Sequence, residues 1–248
     1  MIINFIKSVL FNLHFYILTT LLVIIMLPVI LLPFSGVRIV AKIWGGILVL
    51  GMKLWLGLSL KIIGKYNRHK PCIIAVKHQS AWETIICTSI FDMPSIVLKK
   101  ELIYLPIIGL YFLKGRAIPI IRKNTIEALK KIVKLAKINL NKGSSILIFP
   151  QGTRVPLHAS TKDYPYQSGI YFLYSQCNIP VIPVAHNAGL FWPKNSFLKY
   201  PDRHKTKTVT LEIMDEIPSG LDKKTFMDRL EKSIEDQTRK LIQEEYDG

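Results

Sequence analysis

From Val9 to Phe34 the chain is almost uninterrupted apolar sequence, with His14, Pro28 and Pro33 breaking its uniformity. A helix needs about 20 such residues to cross a hydrocarbon layer, so this run is long enough to do it. It is too long for the core of a secretory signal and lacks a small-x-small cleavage site, so it is expected to stay in the mature protein. Ser35-Gly36 reads as a break. The apolar pattern then resumes over Val37 to Lys65, where Lys42, Lys53, Lys61 and Lys65 are spaced among Trp44, Trp55 and several leucines. Interleaved lysine and tryptophan suit a helix at the lipid interface. Residues 1–65 are therefore expected to form a membrane-associated helical hairpin, either dipping into one leaflet or with its first segment spanning. Flanking charge favours Arg38 and Lys42 over Lys7 for the cytoplasmic side.

Charge points the same way. Half of the residues are apolar and the formal net charge is +16, a combination suited to an anionic membrane surface. Nucleic acid is not expected as a partner, because the basic balance comes with an apolar N-terminus, no nucleic-acid motif and no basic low-complexity tail. Cys72, Cys87 and Cys177 lie in apolar runs and read as small buried hydrophobes in a reducing compartment. No C-x-x-C, H-E-x-x-H or P-loop pattern is present, so neither a metal nor a nucleotide cofactor is expected.

Lys65 to Pro71 is polar and basic and marks the boundary to a second unit, residues 66–248. There, strand-like runs (72–77, 94–98, 117–121, 145–149, 179–185, 206–214) alternate with helical ones (to Phe91, 101–113, 125–140, 168–176, 222–245). This alternation predicts an α/β fold with one mixed central sheet flanked by helices. Asn124 or Thr125 is suited to cap the 125–140 helix.

The run Cys72-Ile73-Ile74-Ala75-Val76 is a buried strand, and Lys77-His78-Gln79-Ser80-Ala81-Trp82-Glu83 follows it where the strand hands over to a helix. Glu83 lies five positions after His78, about one and a half helical turns, so its carboxylate can fold back to the imidazole. A histidine oriented by a carboxylate is how a general base is built. Lys77 adds positive potential beside it, His186 reads as structural or lining, and Leu190, Phe191 and Trp192 are open to contact with an acyl chain or the bilayer.

Four blocks in order resemble the motifs of the glycerolipid acyltransferase family. His78 to Glu83 is similar to the family's His-x4-Asp block, and Gly115 to Arg122 to its glycine–strand–arginine block. Phe149-Pro150-Gln151-Gly152-Thr153-Arg154 is similar to Phe-Pro-Glu-Gly-Thr-Arg, and Ile179 to Val184 to the proline-containing strand. The resemblance implies a glycerol-3-phosphate acyltransferase-like fold and a membrane-bound enzyme with its active site on the cytoplasmic face. It implies acyl transfer to the free hydroxyl of 1-acylglycerol-3-phosphate, giving phosphatidate, with acyl-CoA or acyl carrier protein as donor and no covalent acyl-enzyme. Its site residues would be His78 as base and Glu83 as its orienting acid, with Arg154, Gly152, Thr153 and Arg122 around the substrate phosphate, since arginine grips phosphate bidentately. Another lysolipid acceptor, such as a lyso-ornithine lipid, or a non-catalytic lipid-binding role are the alternatives. Glu83 and Gln151 depart from the family's aspartate and glutamate; the first adds a methylene of reach and the second removes a charge.

Overall fold

The computed structural model describes residues 2–120 and 126–247. Helix α1 (Ile2–Ile25) ends in a short 3-10 turn (Leu27–Leu31), and α2 (Phe34–Gly51) begins directly after Pro33. The break therefore falls at 26–33, and Ser35-Gly36 lies inside the first turn of α2. The prolines decide this: Pro28 and Pro33 cannot donate to a helical ladder, whereas Ser35 and Gly36 can. Gly36 is where the turn folds back closely, for a Cβ there would lie 2.6 Å from Val29 Cγ1.

The second apolar segment is not helical throughout. After a π-helical turn (Met52–Leu56), Gly57 takes a left-handed conformation (φ 67°) and closes the helix. Ser59–Ile63 is then a strand, β1, so Lys61 sits on a sheet rather than on an interfacial helix. The sheet thus starts within the stretch read from sequence as the hairpin. β1 finds its hydrogen-bond partners on the distant strand Thr208–Ile213, a long-range pairing that local pattern does not reveal.

The sheet has seven strands in the order β1-β7-β6-β2-β5-β3-β4. These are β2 (Ile73–Val76), β3 (Ser95–Lys99), β4 (Ile118–Ile120), β5 (Ile146–Ile148), β6 (Val181–His186) and β7 (Thr208–Ile213). Every pairing is parallel except β6 with β7, so the sheet is mixed and its β2, β3, β4, β5 and β6 ends share one edge. The helices are α3 (Trp82–Ile90), α4 (Ile108–Lys114), α5 (Ile126–Asn141), α6 (Gly169–Cys177) and α7 (Lys223–Asp247).

Strand alternation distributes the core to two faces. Ile74, Val76 and Leu147 pack with α3 and the hairpin residues Phe11, Leu48 and Met52. Ile73, Ala75 and Ile146 pack on the other side with Ile170 of α6 and Phe226, Leu230 and Ile234 of α7. Phe191 and Trp192 belong to the first of these cores, at 0% and 6% exposure, with Trp192 edge-on to Phe11 and Phe15, and Leu190 beside them is fully buried. They hold the hairpin to the sheet and face neither solvent nor bilayer.

Between β3 and α4 the chain runs through a 3-10 turn (Lys100–Tyr104) and then a tight γ-turn. Ile107 has φ 62° and ψ −54°, and the Ile108 amide donates to the Pro106 carbonyl at 2.6 Å. This conformation is rare and strained, most of all for a β-branched residue. It is held in place by neighbours, among them Tyr111, whose hydroxyl donates to the Val23 carbonyl of α1 at 3.0 Å.

Candidate active site

His78 follows β2 at the shared edge, and its ring turns toward α3. His78 Nδ1–H donates to Glu83 Oε1 at 2.7 Å, so the dyad expected from the spacing is formed. The same oxygen accepts the Gln79 and Ser80 amides, both at 2.9 Å, and Oε2 accepts the Ser80 amide at 3.1 Å. Ser80 Oγ in turn accepts the Trp82 amide at 3.2 Å. Ser80-Ala81-Trp82-Glu83 is thus a reciprocal arrangement of the capping-box kind, and it satisfies amides at the start of α3 that have no helical partner. The extra methylene of glutamate lets one carboxylate reach these amides and the imidazole together.

Glu83 is fully buried. Burial alone would push its carboxyl up, but His186, the hydrogen bond and charge of His78 and the Ser80 amide together outweigh it and hold the carboxyl below its ordinary range. It is the anion that fixes His78 with Nδ1 protonated and Nε2 bearing the lone pair. Nε2 has no hydrogen-bond partner among the described residues, and the ring stacks on Phe149 with centroids 4.0 Å apart. The side chain is 15% exposed, enough for a reactant to reach it.

His186, expected to be structural or lining, is a buried structural histidine set directly behind Glu83. It ends β6, which lies next to β2 in the sheet, and it is fully buried. Its Nε2–H donates to the Lys77 carbonyl at 2.8 Å, its Nδ1 accepts the Ala188 amide at 3.3 Å, and Nε2 is 3.7 Å from Glu83 Oε2. Burial pushes its pKa down, and the charge of Glu83 pulls the other way. It therefore backs the carboxylate from the side opposite His78. The sequence signal was a histidine closing a strand whose apolar pattern matched that of the central strand. Replacing it by leucine leaves the Lys77 carbonyl unpaired, and His186→Leu is expected to lower the unfolding free energy by about 1–3 kcal/mol in urea titrations. Because the ring touches Glu83 alone among the dyad's groups, kcat should fall with KM unchanged.

Lys77 does not add charge beside His78. Successive strand residues face opposite sides, and the Lys77 ammonium points to α7, where it donates to Glu235 Oε1 and Oε2 at 2.6 and 2.7 Å. Tyr166 donates to the same carboxylate at 2.9 Å. This buried cluster ties the C-terminal helix to the end of β2.

The segment after β5 lies against His78. The Val155 amide donates to the His78 carbonyl at 2.8 Å, the Gly152 amide to the Phe149 carbonyl at 2.9 Å, and Gly152 takes φ 67°, a conformation that glycine adopts freely. Thr153 and Arg154 are half-buried, and Arg154 makes no ion pair or hydrogen bond with the described residues. Gln151 is turned inward: its Nε2 donates to the Tyr164 carbonyl at 3.2 Å, so its side chain braces the loop instead of facing the turn at 152–154. Arg122 lies outside the described residues. No group of three or more potential metal ligands occurs among the described residues.

This geometry can be set beside known proteins. A family model described as Acyltransferase matches residues 59–187, just over half of the 248 residues. The 1-acyl-sn-glycerol-3-phosphate acyltransferase of Pseudomonas aeruginosa is 38% identical over 173 residues, spanning 69% of this chain and 66% of that protein. The protein of the same name from Limnanthes douglasii is 26% identical over 179 residues, 71% of this chain and 63% of its own length. The chain thus spans a little under two thirds of these curated relatives. The crystal structure of the 1-acyl-sn-glycerophosphate (LPA) acyltransferase from Thermotoga maritima superposes with a TM-score of 0.76 at 18% identity, covering 96% of this chain and 97% of that one. That last likeness speaks for the fold alone. The family model, however, covers the strand that leads to His78, the turn at Gly152-Thr153-Arg154 and the strand that ends in His186, and on that match this chain belongs to the acyltransferase family.

Proposed function

We propose that the protein moves a fatty acyl group from a thioester donor to the free hydroxyl of 1-acylglycerol-3-phosphate, giving phosphatidate. The observation that carries this reading is the dyad: His78 is held at 2.7 Å by a buried and anionic Glu83, and its carbonyl accepts the Val155 amide, which ties the segment after Gly152-Thr153-Arg154 to it. His78 Nε2 takes the proton of the acceptor hydroxyl as its oxygen attacks the thioester carbonyl. The tetrahedral intermediate collapses with breakage of the C–S bond, and the imidazolium returns its proton to the departing thiolate. Glu83 stabilises the imidazolium between these steps. In this reading Arg154, half-buried and without a carboxylate partner among the described residues, grips the acceptor phosphate. Both donors, acyl-CoA and acyl carrier protein, are anionic and suited to a chain of net charge +16.

Membrane attachment through α1 and α2 belongs to the same proposal, since both helices are long and apolar enough to cross a bilayer. Their contacts support a hairpin lying in one leaflet. Helix α1 has 24 residues and is about 36 Å long. Near its start Asn4 Nδ2 donates to Asp202 Oδ1 at 3.0 Å, and Ser8 Oγ accepts the Lys199 amide at 2.7 Å. Near its end Val23 accepts the Tyr111 hydroxyl at 3.0 Å. A helix held at both ends by one domain cannot carry one end across a hydrocarbon core of about 30 Å.

The test is acyl transfer by the full chain in vesicles, with 1-acylglycerol-3-phosphate offered alongside acyl-CoA and, separately, acyl carrier protein. Turnover with either donor is expected. Its absence from folded protein with both donors overturns the reaction, and preference for a phosphate-free lysolipid overturns the acceptor. In the same assay Arg154→Ala should reduce kcat/KM for the phosphate-bearing acceptor by about 10–100-fold, the worth of a charge-assisted contact. A phosphate-free acceptor should feel the substitution much less.

A further inference from the structure

We propose that residues 102–113 form a third membrane-inserted element, joining the N-terminal hairpin in one lipid-facing ledge along the His78 edge of the sheet. The inference rests on the membrane attachment proposed above and names a part of the contact that lies outside the hairpin.

Between Glu101 and Lys114 the sequence Leu102-Ile103-Tyr104-Leu105-Pro106-Ile107-Ile108-Gly109-Leu110-Tyr111-Phe112-Leu113 carries no charge. A run of about 12 residues is too short to span and is either a buried core segment or an interfacial one. Burial separates the two. Leu102, Tyr104, Leu105, Leu110 and Leu113 are 37%, 70%, 43%, 47% and 53% exposed, which no core segment shows. The other side of the same segment is anchored: Tyr111 packs with Leu22, Val37, Val40, Ala41 and Met93. Gly109 lies against the Ile103 carbonyl, where a Cβ would come to 1.9 Å. The outward side chains are therefore held out by a fixed backbone and not by fraying.

Three observations identify the occupant as an anionic phospholipid leaflet. The apolar surface is continuous with that of the hairpin, because α4 packs on α2 and on the 3-10 turn, where Leu27, Leu31 and Leu32 are 38%, 88% and 53% exposed. Its ends carry Lys99, Lys100 and Lys114 against the single acid Glu101, which places ammonium groups where headgroup phosphates would lie. The segment also leaves β3 at the edge that holds His78, and it packs on the hairpin side of the sheet, the side to which the His78 ring turns. A lipid acceptor in that leaflet would meet the dyad without leaving the bilayer surface.

The test uses the full chain bound to vesicles of phosphatidylethanolamine and phosphatidylglycerol containing brominated lipid. Single cysteines replace Leu110, Leu113, Ile17 of α1 or Lys232 of α7 in a Cys177→Ser background, where Cys72 and Cys87 are buried, and carry an environment-sensitive fluorophore. Folding of each is checked by circular dichroism. Quenching at 110 and 113 is expected to match that at 17 and to exceed that at 232 severalfold. Quenching at 17 but not at 110 or 113 overturns the ledge while leaving the hairpin, and would assign this face to a protein partner. No quenching at 17 either overturns the membrane reading itself. As an independent measurement, Leu110→Glu combined with Leu113→Glu should reduce the vesicle-bound fraction in flotation severalfold, and an unchanged fraction counts against the proposal.

Discussion

His78→Ala is expected to lower kcat by about 10²–10⁴-fold, the usual contribution of a positioned general base, while leaving the protein folded. The imidazole is part-exposed and stacks on one face of Phe149, so truncating it removes little packing. The Glu83 carboxylate keeps the Gln79 and Ser80 amides as partners. Steady-state acyl transfer beside circular dichroism and a urea titration checks both halves. A variant that retains turnover removes His78 from the base role, and one that loses turnover by unfolding leaves the matter to His78→Gln, which preserves more of the stack.

Glu83→Ala should be the more damaging change, because it acts on rate and on stability together. It strands the Gln79 and Ser80 amides and removes the partner of His78 in a fully buried site. Breaking a buried charged network from one side costs about 3–5 kcal/mol, a large share of the 5–15 kcal/mol that typically holds a domain together. Glu83→Asp restores the charge but shortens the reach, so it should recover part of the stability and less of the rate, since a shift of about 1 Å is costly in catalysis.

The pH dependence follows from the sign of the shift. The Glu83 carboxyl is held below its ordinary value of 4.5 in the folded state, so its stabilising contribution is complete above that pH and disappears as the pH falls through the folded-state value. The groups facing it are His78, His186 and, on its own helix, Cys87. The stability difference between wild type and Glu83→Ala should therefore be constant near neutrality and shrink on acidification below pH 4.5. Denaturant titrations at several pH values would show it, and a gap that widened on acidification would contradict the anionic assignment.

Much of the fold was legible from local pattern. The strand at 73–76, the helix at 126–141 and the long C-terminal helix were all predicted within a few residues, because alternation and helical periodicity are properties of neighbouring side chains. The His78–Glu83 dyad was legible for the same reason, as its members are five residues apart and the turn between them is a local structure. Where the reading failed, the deciding interaction was distant. Ser59–Ile63 looked like the continuation of an interfacial helix because its lysine spacing is ambiguous, and pairing with Thr208–Ile213 made it a strand. Lys77 looked like a source of potential at the site until Glu235, on α7, drew its ammonium to the opposite face.

By itself the sequence determined the apolar hairpin segments, the α/β alternation and the two blocks to which the proposed chemistry is assigned, since each of these is written in residues that touch their neighbours along the chain. Only the tertiary structure decided that β6 lies beside β2, which brings His186 behind Glu83 from more than a hundred positions away. It also decided that Gln151 braces its loop and that α1 is held at both ends by the same domain. The physical reason is common to all three: the order of strands in a sheet and the seat of a helix upon it are set by which apolar faces can be buried together, and that choice belongs to the assembled core.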